Sequence, residues 1–310
     1  MIRELRRADA SRVLELLRIG FPESETLLGT DSAASARIVR RILRWDTQFV
    51  VRVARWFGRP VYRFFVVEED DRVVATTLLT FPERSGFVSH VVVDPAYRRR
   101  GHARALLERA RAVTQATGRR FIALDVLAEN APARALYERL GYRPLREVAC
   151  VVRDPDTESP GPASSSVRPY RARDTPALVE IARRTVPPEV QEVFPVRDRS
   201  VSVSRSVDRV LGSETAAWVV DRGRGPEAYL SATWTPATAA SNCSAPLIGD
   251  EAEAADVAAL VRTAVEYCGS RGSPRVVARV PTANVRGRAA LQGGGFHDAF
   301  AEWTLCRPVT

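Results

Sequence analysis

Between residues 91 and 103 the chain reads VVVDPAYRRRGHA: an apolar run ends at Asp94-Pro95, and Arg98, Arg99 and Arg100 then lead into Gly101, His102 and the small Ala103. Glycine in such a turn lets backbone amides crowd toward an anion, and the arginines, with Arg104 just beyond, add positive charge beside them. From Ala103 to about Gln115 apolar residues recur at Ala105, Leu106, Ala110 and Val113, a pattern that predicts a helix opening at the turn. A helix N-terminus carries unsatisfied N–H groups and partial positive charge, so strand, turn and helix together predict a cradle for a pyrophosphate. Neither GxGxxG nor GxxxxGK[ST] occurs in the chain, which sets aside the two commonest nucleotide loops.

A second group of residues follows at fixed spacing: Asn130, Ala133, Leu136, Tyr137, Gly141 and Tyr142. Between the two groups lies FIALDV, residues 121–126, with the period and composition of a strand and one carboxylate, Asp125. The first group, Arg98xxGly101xAla103, resembles the R/QxxGxG/A acyl-CoA loop of the GNAT superfamily of N-acyltransferases. The second resembles that family's NxxAxxLYxxxG(F/Y) segment, and the likeness covers residues 87–143. It implies an acetyl-CoA-dependent N-acetyltransferase that needs no metal. Loop 98–104 would take the pyrophosphate, the backbone of Val91 and Val93 would pair with the pantetheine arm, and Asn130 and Ala133 would lie beside it. Tyr137 would protonate the departing thiolate, and Asp125 stands where some members carry a glutamate base.

The residues also admit plainer roles. Tyr137 would pack against Leu140 and Tyr142, and Asn130, followed by Pro132, suits a helix N-cap. An otherwise apolar strand would raise the pKa of Asp125. His90, on the strand leading into the loop, titrates near neutral pH without help. Asp125, His90 or an ordered water therefore remains open as the general base.

Length and composition bound the molecule around these groups. A chain of 310 residues with 45% hydrophobic content accommodates two ordinary domains, each burying its own core. No apolar run approaches the roughly 18 residues of a membrane span, and the N-terminus lacks the apolar core of a signal peptide, so a cytoplasmic location is expected. The net charge is +9 and every basic residue of the Lys+Arg count of 46 is arginine; the charge suits an anionic cofactor. No nucleic-acid-binding motif accompanies it. Cys150, Cys243, Cys268 and Cys306 are scattered without a CxxC pair, which suggests neither disulfides nor zinc.

Residues 154–166, DPDTESPGPASSS, read as a linker. After it VRPYRARD (167–174) echoes IRELRRAD (2–9), and Asn284 precedes Gly295-Phe296 as Asn130 precedes Gly141-Tyr142. A duplication is the economical reading: a catalytic domain over 1–153 and a degenerate companion over 167–310. Each is an α/β (α+β) domain in which helices flank a mixed, mainly antiparallel sheet. The family resemblance implies a sheet splayed between the strands near 87–94 and 121–126. In the second copy GDEAEAAD (249–256) replaces the arginine loop and Leu291 replaces Tyr137; carboxylates at a helix N-terminus repel a pyrophosphate, so this copy is expected to bind no acyl-CoA.

The amine acceptor is not identified by sequence. Residues 33–57 form a basic amphipathic pattern, with Ile38, Ile42, Trp45, Phe49, Val53 and Trp56 on one face. That face either packs on the chain's own sheet, which requires no membrane, or meets an anionic surface. The companion either closes one side of the acceptor cleft or mediates a homodimer, and a non-catalytic acyl-CoA sensor is the remaining alternative.

Overall fold

The computed structural model describes residues 1–20, 62–155, 157, 164–201, 213–235, 240–273 and 275–309; the helix expected over 33–57 lies outside them. In the first half β1 (Ile2–Glu4) and α1 (Ala10–Gly20) precede β2 (Tyr62–Glu69), β3 (Arg72–Thr80) and β4 (Ser85–Val93). Then come α2 (His102–Ala116), β5 (Phe121–Leu127), α3 (Ala131–Arg139) and β6 (Arg143–Arg153). The second half repeats the series: β7 (Val167–Pro169), α4 (Thr175–Thr185), the short α5 (Pro188–Val193), β8 (Glu214–Asp221), β9 (Pro226–Trp234), β10 (Ala240–Cys243) and β11 (Leu247–Ile248). It closes with α6 (Ala254–Ser270), β12 (Arg275–Pro281), α7 (Val285–Gly293) and β13 (His297–Pro308). No described helix is long and apolar enough to cross a membrane.

The echo between the two starts has a physical content. Arg3 donates to both carboxylate oxygens of Asp9, at 2.7 and 2.9 Å, and pairs with Glu68; Asp9 also accepts the Arg6 N–H at 2.7 Å. Arg168 holds Asp174 at 2.8 Å through both nitrogens and Asp221 at 2.7 Å, and Asp174 accepts the Arg171 N–H at 2.8 Å. These bidentate pairs are strong and directional. Each guanidinium holds its aspartate below the usual carboxylate range. Each pair fixes the first helix of its half to the first strand.

Side-chain alternation then places the layers. In β2, Phe65 and Val67 join Leu106, Ala110, Ile122, Leu124 and Tyr137 in a core under α2 and α3. Phe64 and Val66 face the other way and pack with Val13 and Leu16 of α1. The period of two in the strands and the apolar stripes of the helices account for this division.

The expected mixed, mainly antiparallel sheet is present, and the halves share it. Thirteen strands form one sheet, with the path β1-β2-β3-β4-β5-β13-β6-β12-β10-β9-β8-β7, and β11 pairs with β9. The last strand of each half completes the other. β13 lies antiparallel between β5 and β6, from Glu302 opposite Leu127 to Pro308 opposite Phe121, and β6 lies antiparallel between β13 and β12. The β6–β13 pair relates the halves by an approximate two-fold relation within one chain, the arrangement of an isologous interface.

Each half therefore depends on a strand from the other for its backbone hydrogen bonds. Cutting a protease site engineered into the stretch 158–163 is expected to leave the two pieces eluting together by size exclusion until denaturant unfolds them. Two separately folded, separately eluting pieces would contradict the exchange.

Candidate active site

The site begins with an irregularity in β4. Its pairing with β3 runs from Thr80 opposite Phe87 to Ala75 opposite Val93, but the register shifts between Leu78–Ser89 and Thr76–Val92. Two residues, His90 and Val91, thus oppose Thr77, and His90 takes a left-handed φ of 56°. This is a β-bulge, which bends the strand and ends regular pairing beside it. On the other edge the parallel pairing of β4 with β5 covers only Ser85–Phe121 to Val88–Leu124. Beyond that point β4 continues to Val93 and β5 to Leu127 with no shared ladder. The sheet opens as a wedge at the position expected from sequence.

At the wide end of the wedge, Asp94 caps the following turn by accepting the Ala96 N–H at 2.9 Å. Arg12 of α1 secures it, donating to the Asp94 carboxylate and, at 3.0 Å, to Val73 O. The chain turns through Arg99, at φ 66°, and Gly101, at φ 85°. A Cβ at Gly101 would stand in open space, so the backbone conformation is what calls for glycine there. The first hydrogen bond of α2 runs from Ala105 N–H to Gly101 O at 3.0 Å. The amides of His102, Ala103 and Arg104 are left with no acceptor inside the helix, as an anion cradle requires.

The arginines of the loop divide their roles. Arg98 donates from Nε to Val93 O at 3.3 Å, and a ligand pairing with that carbonyl must displace it. Arg100 pairs with Glu69 at 2.6 Å and stacks 4.9 Å from the Tyr97 ring centroid. His102 Nε2 lies 2.8 Å from the same carboxylate, off the line a hydrogen bond needs. Arg99 makes no ion pair among the described residues, and Arg104 is exposed. Glu69, at the end of β2, is a loop neighbour with no sequence signal of its own.

Along the wedge, Val91 and Val93 direct their side chains into the α2–α3 core, which leaves their backbones at the open edge. Asn130 caps α3 by accepting the Ala133 N–H at 3.2 Å, and its Nδ2 has no hydrogen-bond partner among the described residues. Tyr137 is buried in the same core, its ring edge-on to Tyr142 at 6.0 Å. Burial pushes its phenol up to about 12, because the charged form loses hydration. The packing partner and the capping role anticipated for Tyr137 and Asn130 are thus present. His90 Nδ1 lies 3.1 Å from Ser89 Oγ. Its ring is open to solvent on one side and crowded by protein on the other, and that crowding lowers its pKa below the ordinary histidine value.

Asp125 points away from Leu124 and Val126, onto the sheet face that carries α1. Its surroundings differ from the apolar ones expected. Thr304 of β13 donates to its Oδ1 at 2.7 Å and Arg279 of β12 to its Oδ2 at 2.6 Å; Arg279 also pairs with Glu302. Thr304 comes from the exchanged strand, and Arg279 reaches in from β12, on the far side of β6. Arg146 of β6 stands directly opposite Thr304. From α5 the second half reaches over this face: Phe194 lies 6.1 Å from Phe87 by ring centroid, and Arg197 pairs with Glu83 at 3.0 Å.

The counterpart of the wedge in the second half is occupied by the chain itself. Asn284 accepts the Gly287 N–H at 3.0 Å as Asn130 does that of Ala133, but its Nδ2 also reaches across to Pro246 O at 2.8 Å. Arg286 donates to Gly249 O at 2.8 Å and Ala252 O at 2.7 Å, in the turn before α6. Arg222 binds Glu227 at 2.8 Å, Glu251 O at 2.6 Å and the Glu253 carboxylate. Among the described residues no three His, Cys, Asp or Glu side chains gather as a metal site needs.

With this geometry in hand, residues 32–142 match the acetyltransferase (GNAT) family. The match falls in the first half of the chain and includes the wedge and its loop. A tandem GNAT protein from the clavulanic acid biosynthesis pathway superposes with a TM-score of 0.69 at 15% identity, covering 100% of this chain and 98% of that one. Mycothiol acetyltransferase of Beutenbergia cavernae is 36% identical over 91 residues, 29% of this chain and 31% of that protein. The [ribosomal protein bS18]-alanine N-acetyltransferase of Salmonella typhimurium is 37% identical over 89 residues, 28% of this chain and 60% of its own length. The chain thus covers under two thirds of either curated relative, and the tandem arrangement is supported by the structural likeness.

Tyr142 lies in the core beside Tyr137. The hydroxyl of Tyr142 is buried without a hydrogen-bond partner, which costs the folded state an unmet desolvation of about 1–3 kcal/mol. Tyr142→Phe is therefore expected to raise stability by about 1 kcal/mol in denaturant unfolding; a loss of stability would show that the hydroxyl has a partner in solution.

Proposed function

We propose that the chain is an acetyl-CoA-dependent N-acetyltransferase whose working site is the wedge of its first half, with the second half a degenerate GNAT-like companion that binds no acyl-CoA. The observation that carries this reading is the contrast between the two copies. In one, Asn130 Nδ2 has no partner among the described residues and arginines line the turn before α2. In the other, Asn284 Nδ2 bridges to Pro246 O, and Arg286 and Arg222 donate to the carbonyls of the acidic turn before α6. The matched relatives are named as a mycothiol acetyltransferase and a [ribosomal protein bS18]-alanine N-acetyltransferase; they support acetyl transfer to an amine and do not single out an acceptor.

Acetyl-CoA supplies an activated acetyl thioester. The amides at Gly101 to Arg104, with Arg99 and Arg104, hold the pyrophosphate, and Val91, Val93 and Asn130 align the arm along β4 so that the thioester reaches the narrow end of the wedge. Proximity there supplies much of the rate. The amine attacks the carbonyl carbon, the carbon–sulfur bond breaks, and Tyr137 gives its proton to the departing thiolate. A phenol raised to about 12 stays protonated at neutral pH and is available as that acid. The amine's surplus proton leaves by His90, unprotonated at neutral pH because crowding lowers its pKa, directly or through water. Asp125, held by Arg279 and Thr304, orients the ammonium before the proton leaves.

Thiol release from acetyl-CoA with a panel of amines and short peptides tests this reading. Tyr137→Phe is expected to lower kcat by about 100-fold or more, the usual worth of a general acid, with the effect in kcat rather than in acetyl-CoA binding. A variant rate within about threefold of wild type would remove the acid role.

A further inference from the structure

The face of the sheet that carries Asp125 presents two arginines near the seam, and they differ. Arg279 is fully engaged, by Asp125 and Glu302. Arg146 is not. Its Nε donates to Thr304 Oγ1 at 3.4 Å and its guanidinium lies 5.5 Å from the Phe194 ring centroid. Its two terminal nitrogens make no hydrogen bond or ion pair among the described residues, and they are not sealed from solvent. The side chain is half-buried, and loss of hydration lowers its pKa. Other half-buried arginines are provided for: Arg3, Arg12 and Arg168 pair with carboxylates, and Arg119, like the buried Arg153, with backbone carbonyls. A guanidinium held between a ring and a hydroxyl, with its fork open, has the geometry of a carboxylate receptor.

Its position gives the receptor a use. Asp125, Thr304 and Arg146 are consecutive cross-strand neighbours on β5, β13 and β6, so Asp125 and Arg146 sit two strand spacings apart, about 10 Å between α-carbons. Thr304 Oγ1 lies between the two side chains, donating to Asp125 Oδ1 at 2.7 Å and accepting from Arg146 Nε at 3.4 Å, so a small molecule with opposite charges a few bonds apart would meet both groups from the solvent side. Asp125 has accepted two hydrogen bonds and, as a carboxylate, has capacity for another donor.

We propose that Arg146 binds a carboxylate of the acceptor while Asp125 faces its ammonium group, so that the acceptor class is an amine that also bears a carboxylate, as free amino acids do. This rests on the transferase reading above, and the reach of Phe194 and Arg146 toward one another makes the second half part of the acceptor site.

The experiment uses the full chain and a panel of L-amino acids, each as free acid and as C-terminal amide. Two readouts are taken: thiol release from acetyl-CoA, and the shift in melting temperature in the presence of CoA. Wild type is expected to favour the free acid of its preferred amino acid over the amide by about 10- to 100-fold in kcat/KM, the worth of a charge-assisted bidentate pair. In Arg146→Met that ratio falls toward one, through KM, and Arg146→Lys recovers part of it. The melting shift given by the free acid is lost in Arg146→Met in parallel. A shift that depends on Arg146 without any turnover would defeat the transferase reading and leave the receptor standing. Turnover with equal rates on acid and amide, a ratio unmoved by Arg146→Met, or no free acid giving an Arg146-dependent signal in either readout would overturn the proposal.

Discussion

Everything at the site depends on β5 being held firmly along one edge and released along half of the other. Its ladder with β13 runs the whole strand, from Phe121 to Leu127, while its ladder with β4 ends at Leu124. A strand bound only by the shorter ladder would slide or close the gap, since unpaired backbone groups seek partners. The full ladder with β13 fixes β5, the bulge at His90 bends β4 away, and the remaining N–H and C=O groups of the wedge are left for an extended ligand. The strand that makes the opening possible belongs to the other half of the chain.

The duplication explains how this came about and why the halves diverged. β6 and β13 play reciprocal parts about the central seam. Asp125 and Arg279 each lie five residues before the asparagine that caps the next helix, Asn130 and Asn284, so they hold equivalent positions in the two copies. In a symmetric ancestor both would carry one charge sign; here they carry opposite signs and meet across the seam at 2.6 Å. Where the first half carries its arginine loop the second carries Asp250, Glu251 and Glu253, and Arg286 and Arg222 lie against that turn.

Much of the site was legible in the chain because its signals are local. The turn at Gly101 needs a left-handed residue, the cap at Asn130 needs an Asx side chain two or three residues ahead of free N–H groups, and the helix after each shows its period within a dozen positions. The echo between IRELRRAD and VRPYRARD was visible, but that it encodes an Arg–Asp clamp required seeing Arg3 fold back on Asp9. What sequence could not give was set by pairing at long range. Strands β6 and β13 have similar apolar patterns, and nothing in either says which half it completes. For that reason the polar environment of Asp125, the presence of Arg146 opposite Thr304, and the attachment of Arg100 and His102 to Glu69 were beyond a reading of local pattern.

The account turns on one open cradle and one closed one in a chain built from two copies. Isothermal titration of the full chain with acetyl-CoA tests it most directly: one site per chain, lost in Gly101→Val because a β-branched residue cannot hold φ 85° without strain, and retained in Arg286→Ala. Two sites per chain in the wild type, or a single site that survives Gly101→Val and disappears with a substitution in the turn at 249–253, would contradict it.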